Sequence, residues 1–399
     1  MGPMTAHLLI AGGGIGALAA ALAACRAGCS VQLFEQAAAF SEVGAGLQLG
    51  PNATRILQAW GLGPALDAVA AFPERIVARS STSGRELAGL TLGQHAVQRY
   101  GAPYATAHRR DLHAILLQAV RAQTGAQLHL GSAVAGFQES MQAVQLQLGD
   151  GQQAEGDALI GADGLWSQVR EQALADGRAQ PTGHLAYRTL IARADLPAAL
   201  RANEVSVWLG VRQHVVAYPV RGGDLLNVVV IVQGAASQGL TGWDDVGAAA
   251  DVRQALANCC STLQDLAQAA PSWGRWSLAD RAPMAGAAQM AAGRIALLGD
   301  AAHPMRPFLA QGAAMALEDA AELGAALAAL GTSQADIPAA LAHYAGQRWQ
   351  RAARVQARSR RNGQIFHLAG PMQWARNAAL GLMGHRLMDL PWLYRGTAG

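Results

Sequence analysis

The first 35 residues constrain this chain more than any other stretch of it. His7-Leu8-Leu9-Ile10-Ala11 is a short apolar run suited to a buried parallel strand. Gly12-Gly13-Gly14-Ile15-Gly16-Ala17 follows, then a helix rich in Ala and Leu reaching about Ala27. A second strand, Ser30-Val31-Gln32-Leu33-Phe34, ends at Glu35. The glycines and Ala17 fit G-x-G-x-x-G/A inside a strand–turn–helix–strand unit, with an acid 23 residues after Gly12. Gly12 permits the tight turn, Gly14 lets the backbone approach a pyrophosphate, and Ala17 allows close helix–strand packing. Ile15 and Gly16 open the helix, whose first N–H groups face the phosphates, while Glu35 accepts from a ribose hydroxyl. Strand, turn, helix, strand and acid together predict a dinucleotide site built from Gly12, Gly14, Ile15, Gly16, Ala17 and Glu35.

A chain of 399 residues exceeds one compact core, so one large and one smaller domain are expected. Half of it (51%) is hydrophobic and 14% charged, which fits a globular enzyme and excludes a disordered chain. The net charge is only +3, and Arg109-Arg110 and Arg360-Arg361 are mere pairs, which argues against nucleic acid as a partner. All 30 basic residues are arginine, so no mechanism can use a lysine Schiff base or a P-loop lysine. Cys25, Cys29, Cys259 and Cys260 form no zinc-ligand spacing, no metal is expected, and the lack of a pairing pattern suits a reducing cytoplasm. The apolar stretch from Leu8 to Ala24 lacks a basic leader, and Gly, Arg and Gln interrupt every long apolar run, so no membrane span is expected.

The glycine motif alone does not separate FAD from NAD; two later segments bear on the choice. Leu159-Ile160-Gly161-Ala162-Asp163-Gly164 is a second strand-to-turn segment, and Arg294-Ile295-Ala296-Leu297-Leu298-Gly299-Asp300-Ala301-Ala302-His303-Pro304 ends a buried strand on Gly-Asp. With these three segments the chain resembles, over nearly its whole length, the flavoprotein aromatic hydroxylases. That family holds the para-hydroxybenzoate and salicylate hydroxylases, and the 3-hydroxybenzoate 6-hydroxylase and 6-hydroxynicotinate 3-monooxygenase branches. The resemblance implies that Asp300 bonds the ribityl chain of FAD. It implies that Asp163-Gly164 touches the pyrophosphate region and the passing nicotinamide nucleotide. Arg109, in His108-Arg109-Arg110-Asp111-Leu112, matches an arginine that contacts FAD, and Gln48 lies in Gly44–Asn52, matching a loop beside the isoalloxazine. A physical reading agrees for Asp300: a carboxylate at the C-terminal edge of a parallel strand suits a polyol, although it would serve equally as a helix cap. The helix opening at Gln311-Gly312-Ala313 would turn its positive end toward the anionic reduced ring. Here the chain departs from the family: many members read Gly-x-Asn where this one has Gly312-Ala313-Ala314. No second glycine fingerprint follows, which favours a transient NAD(P)H visit over a dedicated nicotinamide domain.

Between Arg178 and Trp276 the fingerprints stop and alternating runs appear. Glu204–Leu209, His214–Pro219 and Leu225–Ile231 read as antiparallel strands, with Arg221-Gly222-Gly223-Asp224 as a turn. Period-2 alternation puts His214, Val216 and Tyr218 on one face, and Val215 and Ala217 on the other. A histidine titrates near neutrality and can take a phenol's proton, with Tyr218 bonding the substrate or relaying the proton. The same spacing also suits a solvated edge histidine and a packed tyrosine; a matching His-x-x-x-Tyr-Pro in the two named branches favours the catalytic reading. Other positions stay open. His303 is either structural or functional, Arg188 meets a substrate carboxylate or a surface acid, and Trp273 and Trp276 read as packing. Arg348, Arg351, Arg354, Arg358, Arg360 and Arg361 recur along one side of a C-terminal helix, read as a solvated face or a subunit contact.

These readings combine into an α/β chain: a Rossmann-like FAD-binding domain of the glutathione-reductase type, interrupted by a mixed β-sheet substrate domain, with C-terminal helices. The FAD domain is expected over 1–75, 101–178 and 277–335, the sheet domain over 76–100 and 179–276, and the helical region over 336–399. The resemblance implies a single-component flavin monooxygenase using FAD, NAD(P)H and O2 to hydroxylate a small aromatic acid through a C4a-hydroperoxyflavin, possible as a homodimer. Turnover of a larger phenolic or polycyclic metabolite, or flavin binding without catalysis, are the alternatives.

Overall fold

The computed structural model describes residues 6–40, 45–234, 245–330 and 336–396, and divides the chain into two units. One comprises residues 1–42, 112–180 and 280–359; the other comprises 43–111, 181–279 and 360–399.

The first unit is built on a six-stranded sheet ordered Ala291–Ala292, Ile295–Leu297, Ala158–Gly161, His7–Ala11, Ser30–Glu35, Ala126–Leu130. The last five run parallel and Ala291–Ala292 is an antiparallel edge. His7–Ala11 sits between two parallel neighbours and buries its last four residues, which is why it reads as a continuous apolar run without alternation. Ile15–Arg26 buries nine of its twelve residues, as an all-apolar helix must. Its small residues allow close approach to Gly312–Ala328: a Cβ on Gly324 would lie 2.9 Å from that of Ala23. An antiparallel three-stranded sheet, Gln153–Gly156, Val144–Leu148 and Val134–Glu139, completes the strands of this unit.

The second unit holds an eight-stranded sheet ordered Asp245–Gly247, Trp273–Asp280, Gln180–Ala192, Leu225–Gln233, Gln213–Val220, Glu204–Leu209, Arg75–Ser80, Glu86–Thr91. It is mixed: Gln213–Val220 is antiparallel to both neighbours, while Glu204–Leu209 runs parallel to Arg75–Ser80. One face carries Tyr187, Trp208, Val215, Ala217, Val228 and Val230 into a core with Val252, Leu256, Leu263 and Trp273. Each such aliphatic side chain contributes about 1.5–3 kcal/mol on burial, so this face is fixed by its core and the register follows. The opposite face, with Val207 and Leu209, packs Ala78 and Ala88 against Phe366, Leu380 and Met388 of the C-terminal helices. A shorter pair, Gly46–Leu49 with Ala105–His108, sets Gln48 opposite Thr106. The apolar tail docks within this unit: Leu393 is fully buried, and Tyr394 packs at a tilt on Tyr100 and edge-on to Tyr104.

The sequence reading of the arginine stripe needs correction. Along the helix Ile337–Phe366, Arg348 is fully buried, with Nη1 2.7 Å from Glu318 and Nε 2.7 Å from Asp319, and Arg351 also binds Glu318. A charge leaves water when paired charges and hydrogen bonds replace its hydration, and Glu318-Asp319 supply them.

Candidate active site

In the first unit the glycine turn has the shape its motif requires. Gly12 has φ +106°, and a Cβ there would lie 2.5 Å from the carbonyl oxygen of Ala162. Gly14 precedes the helix Ile15–Arg26 in extended backbone, with nothing within 4 Å of an added Cβ. That helix has no side-chain cap and no acid in its first turn, so its opening amides and positive dipole end are left for an anion. Gly16 packs near Leu298 and Ala316, and Ile15 and Ala17 are buried beneath the turn. Glu35 leans over the turn: Oε1 accepts from the N–H of Ala37 at 2.8 Å, and Oε2 would lie 2.7 Å from a Cβ on Gly13. His113 adds a brace absent from the motif, its Nε2 2.8 Å from the carbonyl of Gly13. An acid beside a glycine turn with open amides suits the ribose and pyrophosphate of a dinucleotide such as FAD.

Asp163 has a local task. Its Oδ1 accepts from Ser167 Oγ at 2.5 Å, and Oδ2 from the N–H groups of Gln168 and Val169, capping the helix Gln168–Leu174. Burial raises its pKa, against the pull of these bonds. Asp300 stands exposed in the 3₁₀ turn Gly299–Ala301, where Gly299 takes φ +62°. The turn is held from two sides. Asp319 Oδ2 accepts from the Gly299 N–H at 3.0 Å and lies 2.5 Å from His303 Nε2, while Arg348 holds Oδ1. Arg170 Nη1 donates to the carbonyls of Ala301 and Ala302, and Asp176 anchors its guanidinium. Burial pushes the Asp319 carboxyl up, but His303, Arg348 and the hydrogen bonds outweigh it and hold it down to about 2. His303 thereby forms part of the brace that holds the turn. The Gly312–Ala328 helix begins nearby, a Cβ on Gly312 lying 4.0 Å from Asp300 Oδ1, with Gln311 buried at its N-cap and Ala313 half-buried.

The second unit gathers the remaining candidates. Tyr218 is buried and hydrogen-bonds Gln48, whose Oε1 also accepts from Tyr104 Oη at 2.7 Å. Asn227 lies opposite Tyr218 in register and accepts from the N–H of Gly46 at 2.8 Å. A Cβ on Gly46 would come within 2.6 Å of the Tyr218 ring, so only glycine lets this strand lie against the sheet. Burial raises the Tyr218 hydroxyl pKa well above its usual range. His214 shares this face, since Val215 and Ala217 point into the core on the other. It is 1% exposed, with Nδ1 2.8 Å from His367 Nε2 and its ring edge-on to Phe366. Burial, then His367 and His184, hold its pKa well below 6.5. Arg188, opposite Val229 and so on the same face, stacks over Trp276 at 4.9 Å. The backbone N–H of Arg109 donates to Ala45 at 2.7 Å, and Gly44 lies outside the described residues. A cavity of about 150 Å³ lined by Arg79, Glu204, Ser206, Trp208 and Ala217 opens on the opposite face, away from His214.

The structure thus groups Gly12, Gly14, Ile15, Gly16, Ala17 and Glu35 at one turn, Asp300, Gln311, Gly312 and Ala313 around another, and Gln48, Tyr218 and His214 along one sheet face. The sequence reading missed Asn227, Tyr104, His367, Arg170 and Asp319. Asn227 was detectable as the lone polar residue inside the aliphatic run Leu225–Val232; the others carry no local signal. Among the described residues no group of His, Cys, Asp and Glu could hold a metal ion, and no helix is long and apolar enough to cross a membrane.

Comparison with known proteins follows the same lines. A family model described as FAD binding domain matches residues 5–359. The chain is 37% identical over 401 residues to a 3-hydroxybenzoate 6-hydroxylase of Polaromonas naphthalenivorans (strain CJ2), spanning 100% of this chain and 98% of the relative. It is 36% identical over 361 residues to a 6-hydroxynicotinate 3-monooxygenase of Bordetella bronchiseptica, spanning 89% and 91%. Among solved structures, Klebsiella pneumoniae HpxO complexed with FAD and uric acid matches with a TM-score of 0.85 at 26% identity, over 99% of this chain and 98% of that one.

Proposed function

Because the chain belongs to the FAD binding domain family, among the flavin-dependent aromatic hydroxylases, we propose that it is a single-component monooxygenase. Its substrate would be a small phenolic acid, hydroxylated at the expense of NAD(P)H and dioxygen. When bound, FAD supplies the chemistry: it takes electrons from the nicotinamide and delivers one oxygen atom of O2 to the ring. The chain's own groups bind and prepare the two partners. In the first unit the amides at the start of Ile15–Arg26 take the pyrophosphate, Glu35 takes the adenosine ribose and Asp300 the ribityl chain.

The observation that carries the substrate reading is the buried face bearing His214 and Tyr218 on one strand. Tyr218 keeps its proton throughout the working pH range, so it donates to a substrate oxygen and does not act as a base. His214 stays neutral down to acidic pH, so its imidazole has a lone pair ready for the phenol proton. Removing that proton makes the ring electron-rich, which is what an electrophilic oxygen donor requires. Burial of both groups keeps water from the ring.

The test is anaerobic, then aerobic, stopped-flow absorbance with NADH or NADPH and a panel including 3-hydroxybenzoate, 6-hydroxynicotinate and salicylate. One acid should accelerate flavin reduction and be recovered hydroxylated once oxygen is admitted. Equal reduction with and without every acid, yielding peroxide alone, would reject the small-acid reading. His214→Ala should slow hydroxylation at least tenfold while FAD remains bound.

A further inference from the structure

We propose that His367 is the second member of a proton relay, carrying away from the substrate the proton that His214 removes. This rests on His214 acting as the base. The two imidazoles form a direct hydrogen bond, Nδ1 of His214 to Nε2 of His367 at 2.8 Å, with ring centroids 5.0 Å apart. A third ring, His184, lies 5.3 Å from His367, and exposure rises from 1% at His214 to 8% at both others. Nδ1 of His184 lies 3.0 Å from the carbonyl of Thr182 and 3.2 Å from its hydroxyl; the carbonyl can only accept, which favours the tautomer with hydrogen on Nδ1 and an accepting Nε2.

A proton arriving at His214 has poor prospects of staying. Among the described residues, the titratable and charged groups acting on the pair are His184 and Arg376, whose guanidinium donates to the carbonyls of Ile365 and Phe366 just before His367. A neighbouring cation and deep burial both disfavour a resting imidazolium, and the His367 ring is itself held down to about 4. Transfer through the pair moves that charge off His214 and His367 and onto His184. The phenol O–H bond breaks and its proton joins Nε2 of His214. The Nδ1–H bond of His214 breaks as its proton passes to Nε2 of His367; the Nδ1–H bond of His367 then breaks as its proton passes to Nε2 of His184. That last transfer requires these two rings, 5.3 Å apart between centroids, to approach one another, and it leaves the charge on His184. The electron pair of the O–H bond stays on the phenolate, and His214 and His367 end neutral with their tautomers exchanged. Nothing is oxidised or reduced, and the reverse passage reprotonates the product.

The test uses His367→Gln in the FAD-loaded enzyme without NAD(P)H, following the rate at which a bound phenolic acid becomes phenolate by its absorbance. Glutamine still accepts from His214 Nδ1 through its amide oxygen, so it keeps the orientation but cannot pass a proton on. Phenolate formation should slow at least tenfold with substrate affinity changed less than twofold. In a second assay with NAD(P)H and O2 supplied, a nitro-substituted analogue, already ionised at the assay pH, should turn over at the wild-type rate. An unchanged rate in His367→Gln while His214→Ala is slow would overturn the relay and leave the base assignment standing. Equal slowing of ionised and un-ionised acids would also overturn it, making His367 a packing residue. If His214→Ala is itself as fast as wild type, it is the base assignment that fails. Should His367→Gln not fold, a proton inventory on the wild-type enzyme decides: a curved dependence on deuterium fraction means two protons in flight, and a straight line rejects the relay.

Discussion

A Cβ on Gly12 would sit 2.5 Å from a carbonyl oxygen, whereas one on Gly14 meets nothing within 4 Å. The two look interchangeable in the sequence, yet their constraints come from different sources. Gly12 is fixed by the protein itself, through φ +106° and the strand that ends at Gly161. Gly14 is in a backbone conformation any residue adopts, so only a ligand approaching the turn can require it. Gly14→Ala should therefore give an apoprotein within about 1 kcal/mol of wild type, since alanine is merely a weaker N-cap, yet FAD affinity should fall at least tenfold. Gly12→Ala should lower the stability of the apoprotein itself by about 1–3 kcal/mol through backbone strain. Urea unfolding of both apoproteins, with FAD titration by fluorescence quenching, separates the two. Full FAD affinity in Gly14→Ala would mean that no phosphate comes close to this turn.

At the scale of an element, the 3₁₀ turn Gly299–Ala301 is three residues long and cannot hold Asp300 in place unaided. It relies on the Gly312–Ala328 helix, whose Asp319 takes the Gly299 N–H, and on Arg170, which takes two carbonyls. Asp319→Asn leaves the buried Arg348 with Glu318 alone, and should cost about 3–5 kcal/mol in thermal or urea unfolding. FAD affinity should fall with it, because the turn loosens. The pH dependence has a definite sign. The folded carboxyl titrates near 2, below its ordinary 3.8, so its contribution is whole above 3.8 and lost as pH falls toward 2. Wild type should lose stability over that window more steeply than Asp319→Asn; parallel acid limbs in the two proteins would show that the brace carries little. In the sequence, the strand ending on Gly-Asp and the helix beginning at Gln311 were legible because each is a local pattern. Their brace was not. Asp319 reaches residues 16, 20 and 29 positions away, and spacing along one helix cannot reveal partners on another. The same blindness set Arg348 on a solvated face, since three-and-four periodicity defines a helix side without saying what covers it.

Across the whole molecule, what sequence could and could not foretell divides by contact range. The strand–turn–helix–strand unit, the face shared by His214 and Tyr218, and the three central strands Glu204–Leu209, Gln213–Val220 and Leu225–Gln233 rest on periods of two to four residues or on contiguous motifs. The Gly46–Asn227 bond joins residues 181 apart and the His214–His367 bond residues 153 apart, so only the fold brings them together. The dinucleotide groups of the first unit are likewise scattered, at Gly12–Glu35 and again at Asp300–Ala313, and a ligand touching both must tie distant segments into one cooperative event. Removing FAD should therefore lower the melting temperature, and restoring it at 100 times its Kd should return about 2.7 kcal/mol. Hydrogen exchange should locate the effect, with slowed amides at residues 12–17 and 299–315 on FAD addition. FMN lacks the adenosine that Glu35 would hold, so it should protect the second stretch and leave the first exchanging. A rise in melting temperature with NAD equal to that with FAD, protecting residues 12–17 alone, would instead make the glycine turn a nicotinamide-nucleotide site and leave Asp300 without its assigned partner.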